Sequence, residues 1–204
     1  MSDITIKLPG FDQLAEAAKD LIQKVIVPPL EEVGSLFADQ IKLFRFKNQV
    51  GIILKAEEYL RKKNIKTKKV SLKVLAPFLE DCSLEEDEDL KEKWAALLVN
   101  IVKEDSPIDN SLYSIILSQL SPKDARVFEY IFQLSTRKGS PSITSIEKLK
   151  TIITRDQLEQ MHPNVNLSVD NLIRLGLLKN QAISDTDVMI TDLGISFVIN
   201  CMLP

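Results

Sequence analysis

The chain has 204 residues, of which 45% are hydrophobic and 27% are charged, and its formal net charge at pH 7 is −3. This composition is typical of a globular protein with a substantial core, and it excludes a molecule that binds nucleic acid through its overall charge. The N-terminal sequence lacks the pattern of a signal peptide, and no apolar run reaches the roughly 20 residues that span a bilayer. We therefore expect a cytoplasmic protein without a transmembrane segment, in which Cys82 and Cys201 are buried free thiols.

The first part of the chain is predicted to be helical. After an arm at residues 1–10, the apolar spacing from Phe11 to Val27 predicts an amphipathic helix, which Pro28 and Pro29 interrupt because neither donates a helical hydrogen bond. A long helix is predicted from Leu30 to Lys63. One stripe on it has the spacing of a packing seam and consists of Leu36, Leu43, Phe46, Val50, Ile53 and Leu60. A second stripe is either buried within the chain or meets another copy of the protein, and it consists of Val33, Phe37, Ile41 and Phe44.

Opposite charges are concentrated in two segments that follow the long helix. The first, termed the basic segment, consists of Lys62, Lys63, Lys66, Lys68 and Lys69. The second, termed the acidic corner, consists of Glu85, Glu86, Asp87 and Glu88. A solvated surface is the simplest interpretation. A nucleic-acid contact is weakly supported because no aromatic residue beyond Tyr59 accompanies the lysines, and attraction between copies is a third interpretation.

Two helices are predicted on either side of the acidic corner. Apolar residues Leu75, Phe78 and Leu79 give the first helix a buried face. Ser83 is the predicted N-cap of the second helix, and Glu86 would complete a capping box. The acidic residues from 85 to 89 would then fill its first turn, where the helix dipole favours negative charge. The predicted core stripe of this second helix consists of Leu90, Trp94, Leu97, Leu98 and Ile101.

A polar stretch at residues 103–110 predicts a domain boundary near residue 110, with a helical domain at 1–110 and a second domain at 111–204. The second domain should begin with a helix from Leu112 to Leu120. Ser121 and Pro122 predict the start of another helix, which ends before Gly139. A short helix from Ile146 to Ile153 is predicted next, followed by one that Thr154 and Gln157 cap and that ends near Met161, before a turn at residues 162–164.

The end of the chain has the element order of a winged helix. A helix at residues 166–175 is closed by Gly176, two short strands enclose a turn at residues 185–187, and Thr191 caps a final helix. The helix at 166–175 takes the position of a recognition helix. The predicted fold is therefore mainly α, with one long helix in the N-terminal region and a winged-helix-like C-terminal region that contains a small β-hairpin.

The sequence carries no recognised catalytic or nucleotide-binding motif. His162 is the single histidine, so a histidine-rich metal site is excluded and a Ser–His or Cys–His pair could use only this residue. Carboxylates at successive helical positions do not converge on one ion. We therefore predict no enzymatic activity, no cofactor and no metal site.

Two residues of the predicted recognition helix, Asn171 and Arg174, are the weak candidates for contact with nucleic acid. On the same helix Asp170 opposes such a contact by its negative charge. The predicted wing carries Asp185 and Asp187, and these two carboxylates would repel phosphate. Charges from residue 112 onward are balanced. A protein-binding or structural winged helix is therefore favoured over a DNA reader.

Several segments together carry a family pattern. They are the run IKLFRFKNQVGIILKAEEYLRKKNIKTKKVSLKVLAPFLEDCSLEEDEDLKEKWAALLVN and the later segments ILSQLSPKDARVFEYI, DNLIRLGLL and ITDLGISFV. These segments resemble the Abi-alpha (abortive infection alpha) family of bacterial proteins. The resemblance extends from about residue 30 to the end of the chain. The matched positions include Pro77, Ser83, Glu85, Glu86, Trp94, Leu97, Leu98, Ser121, Pro122, Asp124, Asn171, Gly176, Thr191 and Gly194. The resemblance implies a role in bacterial defence against phage and supplies no catalytic residues.

We therefore predict a non-enzymatic phage-defence protein that acts through protein contacts and forms a homo-oligomer, with a phage or host protein as a further partner. The acidic corner and the basic segment are the predicted contact residues. Two alternatives come from other classes. One is a winged-helix regulator that binds DNA, and the other is a membrane-acting effector that uses the N-terminal amphipathic helix.

Overall fold

The computed structural model describes residues 40–108, 111–136, 152–161, 164–181 and 184–202. These residues are mainly helical and include one small antiparallel sheet near the C-terminus, which confirms the predicted fold class. The chain divides into two compact units, unit 1 up to residue 115 and unit 2 from residue 116 to residue 203. The predicted boundary near residue 110 stays a prediction, and the predicted helix at residues 11–27 lies outside the described residues.

The described part of unit 1 contains three helices of more than ten residues each. They are α1 (Gln40–Lys62), α2 (Leu72–Cys82) and α3 (Glu88–Val102). The described part of the long predicted helix ends one residue before the predicted Lys63. Asn64 follows with a φ of 49°, the left-handed conformation that asparagine tolerates and that commonly ends a helix.

Helix α3 is the centre of the unit 1 core. Every residue from Lys93 to Val102 is buried, so the predicted stripe is confirmed but forms only part of a helix that is covered on all sides. Trp94 is fully buried and meets Phe78 of α2 edge to face, with ring centroids 5.4 Å apart. Val50, Ile53 and Leu60 of the predicted α1 seam are buried as expected. Phe44 of the second stripe is 42% exposed, and the side chains at 33, 37 and 41 lie outside the described residues.

The capping residue predicted for α3 is wrong. Ser83 has helical angles (φ −66°, ψ −25°), and its hydroxyl donates to the Glu80 carbonyl oxygen at 2.6 Å, so it is the C-cap of α2. Asp87 is the N-cap of α3 instead, because its backbone is extended and its carboxylate accepts the Leu90 N–H at 3.0 Å. Glu85 and Glu86 therefore precede α3 and do not fill its first turn.

Unit 2 combines a three-stranded sheet with helices. After α4 (Leu112–Ser118), whose last residues enter unit 2, its elements follow in chain order: α5 (Pro122–Thr136), β1 (Ile153–Thr154), α6 (Arg155–Met161), α7 (Asn166–Arg174), β2 (Leu178–Gln181), β3 (Ser184–Ile190) and α8 (Asp192–Cys201). The strand order is β1-β3-β2 and both pairings are antiparallel, with Ile153 opposite Val188 and Leu178 opposite Ile190.

Two sequence predictions in this region are wrong. Ile153 was predicted to end a helix, but it lies in β1 because its backbone pairs with β3. Residues 185–187 were predicted to form the hairpin turn, but they lie within β3 and continue its pairing with the neighbouring strands. Residues 137–151, which include most of the predicted helix at 146–153, lie outside the described residues, as do residues 162–163 of the predicted turn.

Local capping signals were predicted correctly in unit 2. Ser121 and Asp124 cap α5 reciprocally, since the Ser121 hydroxyl accepts the Asp124 N–H and the Asp124 carboxylate accepts the Ser121 N–H. Thr154 and Gln157 make the same pair of contacts at the start of α6. At the start of α8, the Thr191 hydroxyl accepts the Gly194 N–H at 2.9 Å.

Two glycines allow the turn after α7 to pack against the start of α8. Gly176 has a φ of 74°, which side chains disfavour, and it follows the end of α7 as predicted. The Thr191 hydroxyl reaches the Gly176 carbonyl oxygen at 2.6 Å, and the Thr191 N–H donates to the Leu177 carbonyl at 3.0 Å. A Cβ added to Gly194 would collide with that Leu177 carbonyl oxygen.

Replacing Gly194 with alanine should destabilise unit 2 by about 2–3 kcal/mol, because the backbone at Leu177 must move to accept the methyl group. The midpoint of urea unfolding measures the effect. Gly51→Ala is the matched control, since nothing lies within 4 Å of its added Cβ, and it should stabilise α1 by roughly 0.5–1 kcal/mol. Equal midpoints for the two variants would contradict this account of Gly194.

Candidate functional site

The acidic corner is anchored by side chains of α1. The Asn48 amide, which is buried, donates to the Ser83 carbonyl oxygen at 3.0 Å, and the Gln49 amide donates to the Leu79 carbonyl oxygen at 2.8 Å. Both acceptors belong to the end of α2, where carbonyl groups lack helical partners. The corner therefore begins at a fixed point on the surface of unit 1.

Members of the acidic corner have different local roles. Glu85 accepts the backbone N–H groups of Glu86 and Asp87, each at 3.0 Å, which stabilises the connection between α2 and α3. Asp87 caps α3. Glu88 contacts Lys91 at 2.9 Å and Lys55 at 3.7 Å. Glu86 is exposed and shows no such contact.

A polar cluster that the sequence analysis missed joins α1 to α3. Glu92 accepts hydrogen bonds from the Lys55 ammonium and, at 2.5 Å, from the Tyr59 hydroxyl. Lys55 and Tyr59 are four residues apart on α1, as are Glu88 and Glu92 on α3. This i, i+4 spacing places each pair on one face of its helix. The spacing is visible in the sequence and could have indicated the cluster.

The cluster favours the charged forms of Lys55 and Glu92 and the neutral form of Tyr59. Partial burial opposes ionisation of Glu92, but the hydrogen bonds from Lys55 and Tyr59 outweigh it and lower the pKa of Glu92. The hydrogen bond to Glu92 raises the pKa of Tyr59 to about 12, with partial burial adding to the effect. The cluster therefore connects the two helices and presents no free general base.

The basic segment begins at the end of α1 and continues into the extended connection to α2. Lys62 pairs with Glu58 at 2.6 Å, and Lys68 donates to the Ser106 carbonyl oxygen at 2.7 Å. The backbone from Lys66 to Lys68 is fixed because Thr67 pairs with Lys103. The exposed members of the segment are Lys62, Lys63, Lys66 and Lys69.

The two nucleic-acid candidates on α7 are tied to neighbouring side chains. The Asn171 amide donates to Asp124 at 2.9 Å and to the Gln119 carbonyl oxygen at 3.2 Å. Arg174 donates to the Asn171 side-chain oxygen and, at 3.0 Å, to Gln119. Arg174 remains exposed, whereas Asn171 has its amide donors engaged within unit 2.

Asp124 is the buried centre of that network. Burial raises the pKa of its carboxyl group, but hydrogen bonds from Ser168, Ser121 and Asn171 outweigh this effect and the pKa lies below the ordinary value. Asp124 is 6% exposed, so these bonds replace the water that its carboxylate loses on folding.

The exposed face of α7 also carries an apolar side chain. Leu167 is 80% exposed, the highest value for a large hydrophobic residue in the described ranges. Beside it, Asp170 accepts a hydrogen bond from Arg155 at 2.8 Å. This face therefore combines one leucine with a carboxylate and an arginine, and it is not uniformly basic.

Both cysteines are free and buried, as predicted. Burial raises the pKa of the Cys82 thiol and that of the Cys201 thiol, so neither is a reactive thiolate at neutral pH. Within the described ranges no three metal-binding side chains form a group, and no helix there is long and apolar enough to cross a membrane.

Comparison with known proteins identifies the family. A family model described as abortive infection alpha matches residues 38–201, which is most of the chain. The chain belongs to the Abi-alpha family. No curated protein and no solved structure gives a significant match. Membership confirms the resemblance noted in the sequence and associates this Abi-alpha protein with abortive infection.

Many positions that this Abi-alpha chain shares with the motifs quoted above have structural roles. Trp94 fills the unit 1 core, Ser121 and Thr191 cap helices, and Gly194 allows a close backbone approach. Asn171 and Asp124 form the buried network of unit 2. These positions therefore describe the family fold and do not by themselves mark a reaction site.

Acidification should weaken unit 2 through Asp124. Because the folded-state pKa of Asp124 lies below the ordinary 3.8, its contribution to stability is present above that pH and is lost as the pH falls through the folded value. Asp124→Asn should flatten the dependence of unfolding free energy on pH in this acidic range. Asp156→Asn, at an exposed position of α6, is the control. The same pH dependence in Asp124→Asn as in the parent chain would show that another group is responsible.

Proposed function

We propose that this Abi-alpha protein acts in phage defence in the cytoplasm by binding another protein, without catalysing a reaction. The observation that carries the proposal is the exposed face of α7. Leu167 is 80% exposed in the first turn of a helix whose other exposed side chains are polar. An apolar side chain surrounded by polar residues is a common arrangement at protein contact sites.

The α7 face fits a protein partner better than DNA. A DNA-reading helix usually presents amide and basic groups that are free to reach base edges. Here the Asn171 amide is bonded to Asp124, and the Asp170 carboxylate would face the phosphate backbone. Lys123, a further basic group in unit 2, donates to the Asn164 carbonyl oxygen at 2.8 Å.

The element order of unit 2 supports a winged-helix assignment. A helix, a strand, two helices and a hairpin follow one another from α5 to β3, and β1 pairs with the far strand of the hairpin. In a winged helix the helix before the hairpin is the recognition helix, and here that helix is α7. We infer that the family uses this recognition position for a protein contact.

The absence of an enzymatic role is part of the proposal and has physical support. The charged groups of the acidic corner mostly hold the fold: Glu85 binds backbone amides, Asp87 caps a helix and Glu88 forms ion pairs. Both thiols are buried with raised pKa values. Neither the acidic corner nor the two cysteines therefore supplies a free nucleophile beside a base.

A plaque assay tests the proposed contact. Bacteria that express the intact chain should reduce plaque formation by a phage to which the system responds. In cells that express Leu167→Asp, the reduction in plaque number should be weaker by about tenfold or more, because the substitution removes an apolar contact and adds a charge. Leu167→Met, which keeps an apolar side chain, should retain it.

Ile199→Asp is the matched control, because Ile199 is a 42% exposed apolar residue on α8 in the same unit. It should leave protection nearly unchanged while producing the same change in charge. Equal protection by Leu167→Asp and the parent chain, with both folded by circular dichroism, would reject the α7 contact.

A gel-shift assay with duplex DNA separates the proposal from the DNA-binding alternative. We expect no salt-dependent shift for the intact chain. A shift that disappears in Arg174→Ala would favour a DNA-binding regulator instead. Asn171→Ala is a poor probe by itself, because it removes one of the hydrogen bonds that the buried Asp124 accepts and should lower stability.

The membrane-acting alternative depends on the N-terminal residues, which lie outside the described ranges. Leakage of dye from liposomes that requires residues 1–29 would favour it. We expect no leakage from the intact chain, because we assign its action to a protein contact.

A further inference from the structure

At each end of helix α2, the charged residues have the sign that the helix dipole disfavours. Lys73 lies in its first turn, where the dipole is positive, and Glu80 and Asp81 lie in its last turn, where the dipole is negative. The flanking segments extend the same pattern, since Lys69 precedes the helix and the acidic corner follows it. This arrangement opposes helix stability, so a purely structural role does not explain it.

The solvent-facing stripe of α2 is self-complementary. Its exposed residues are Lys73, Ala76 and Glu80. Among the described residues, neither Lys73 nor Glu80 forms an ion pair, and Ala76 lies near the midpoint between them. One end of the stripe is positive, the middle is small and the other end is negative.

We propose that two copies of the chain associate through antiparallel α2 helices related by a two-fold axis at Ala76. Lys73 of each copy then faces the partner's Glu80, and the small Ala76 side chain permits close approach of the two helices. In a two-fold contact the same surface of each copy meets its equivalent on the other copy. This stripe is suited to such a contact because its positive end and its negative end lie at equal distances from its centre.

The segments beyond the ends of α2 lengthen this contact. In the antiparallel arrangement the exposed Lys66 and Lys69 of one copy lie toward the partner's acidic corner. Glu86 is exposed there, and the adjacent Leu84 is 57% exposed, which adds apolar area. The basic segment of each copy thus contacts the acidic corner of the other copy, and the two-fold axis produces this contact twice.

Other charges near both ends reduce the complementarity without reversing it. Exposed Glu104 and Asp105 follow the strand pairing beside the basic segment. At the acidic end, Lys91 and Lys55 pair with Glu88. The contact should therefore be weak and sensitive to salt, as expected for exposed ion pairs.

The test compares Lys73→Glu and Glu80→Lys with the variant that carries both changes. Sedimentation or light scattering should show a dimer of the intact chain at about 0.01 M salt and a monomer at about 1 M. Each single variant places like charges opposite each other twice and should weaken association by about tenfold or more. The combined variant restores opposite charges and should associate like the parent chain.

Mixing the two single variants should also restore the dimer, since each then meets the charge that it lacks. Folding does not confound these results, because both substitutions place favourable charges at the ends of α2 and should leave the thermal midpoint unchanged or higher. A bulky Ala76→Trp should prevent association in every background.

Three results would overturn the proposal: a monomer at low salt, a dimer that both single variants retain, or a combined variant that stays monomeric. Duplex DNA bound by the basic segment, with the protein still monomeric, would also overturn it. The readout is molecular mass, so these outcomes leave the α7 contact unaffected, and its plaque assay does not depend on α2.

Discussion

The complete burial of α3 is the constraint on which unit 1 depends. A helix that is covered on every side needs partners in several directions, and α1 and α2 supply two of them. Trp94 and Phe78 fix the approach of α2, while Asn48 and Gln49 of α1 bind the carbonyl groups at its end. These buried contacts fix the position of the acidic corner, although the corner itself is charged and lies at the surface.

Unit 2 depends in a similar way on a short polar junction. Thr191 binds the turn after α7, and Gly194 lets the first turn of α8 approach the Leu177 carbonyl oxygen. The buried Asp124 meanwhile connects the start of α5 to Asn171 of α7. Helix α7 is therefore held within unit 2 by the contact of its Asn171 with Asp124 and by the binding of the turn that follows it.

Local signals in the sequence predicted much of this structure. The caps at Ser121, Thr154 and Thr191 and the glycine after α7 depend on residues close together in the chain, and all were predicted. The prediction for Ser83 failed because its hydroxyl bonds back to the Glu80 carbonyl at the end of α2, whereas Asp87 caps α3. The two-residue β1 was missed because it forms only by pairing with β3, more than thirty residues away. The basic segment and the acidic corner were recognisable from their charge. The Lys55–Glu92 ion pair depends on how α1 and α3 pack together, and the i, i+4 spacing within each helix is only an indirect sign of it.

The buried indole of Trp94 has a practical consequence. It is the single tryptophan of the chain, its ring is fully enclosed, and its N–H has no hydrogen-bond partner among the described residues. Intrinsic fluorescence excited at the indole band therefore reports on unit 1 alone, whereas far-ultraviolet dichroism reports on the helices of both units. Divergence between the two signals during denaturation would reveal that the halves of the molecule melt independently.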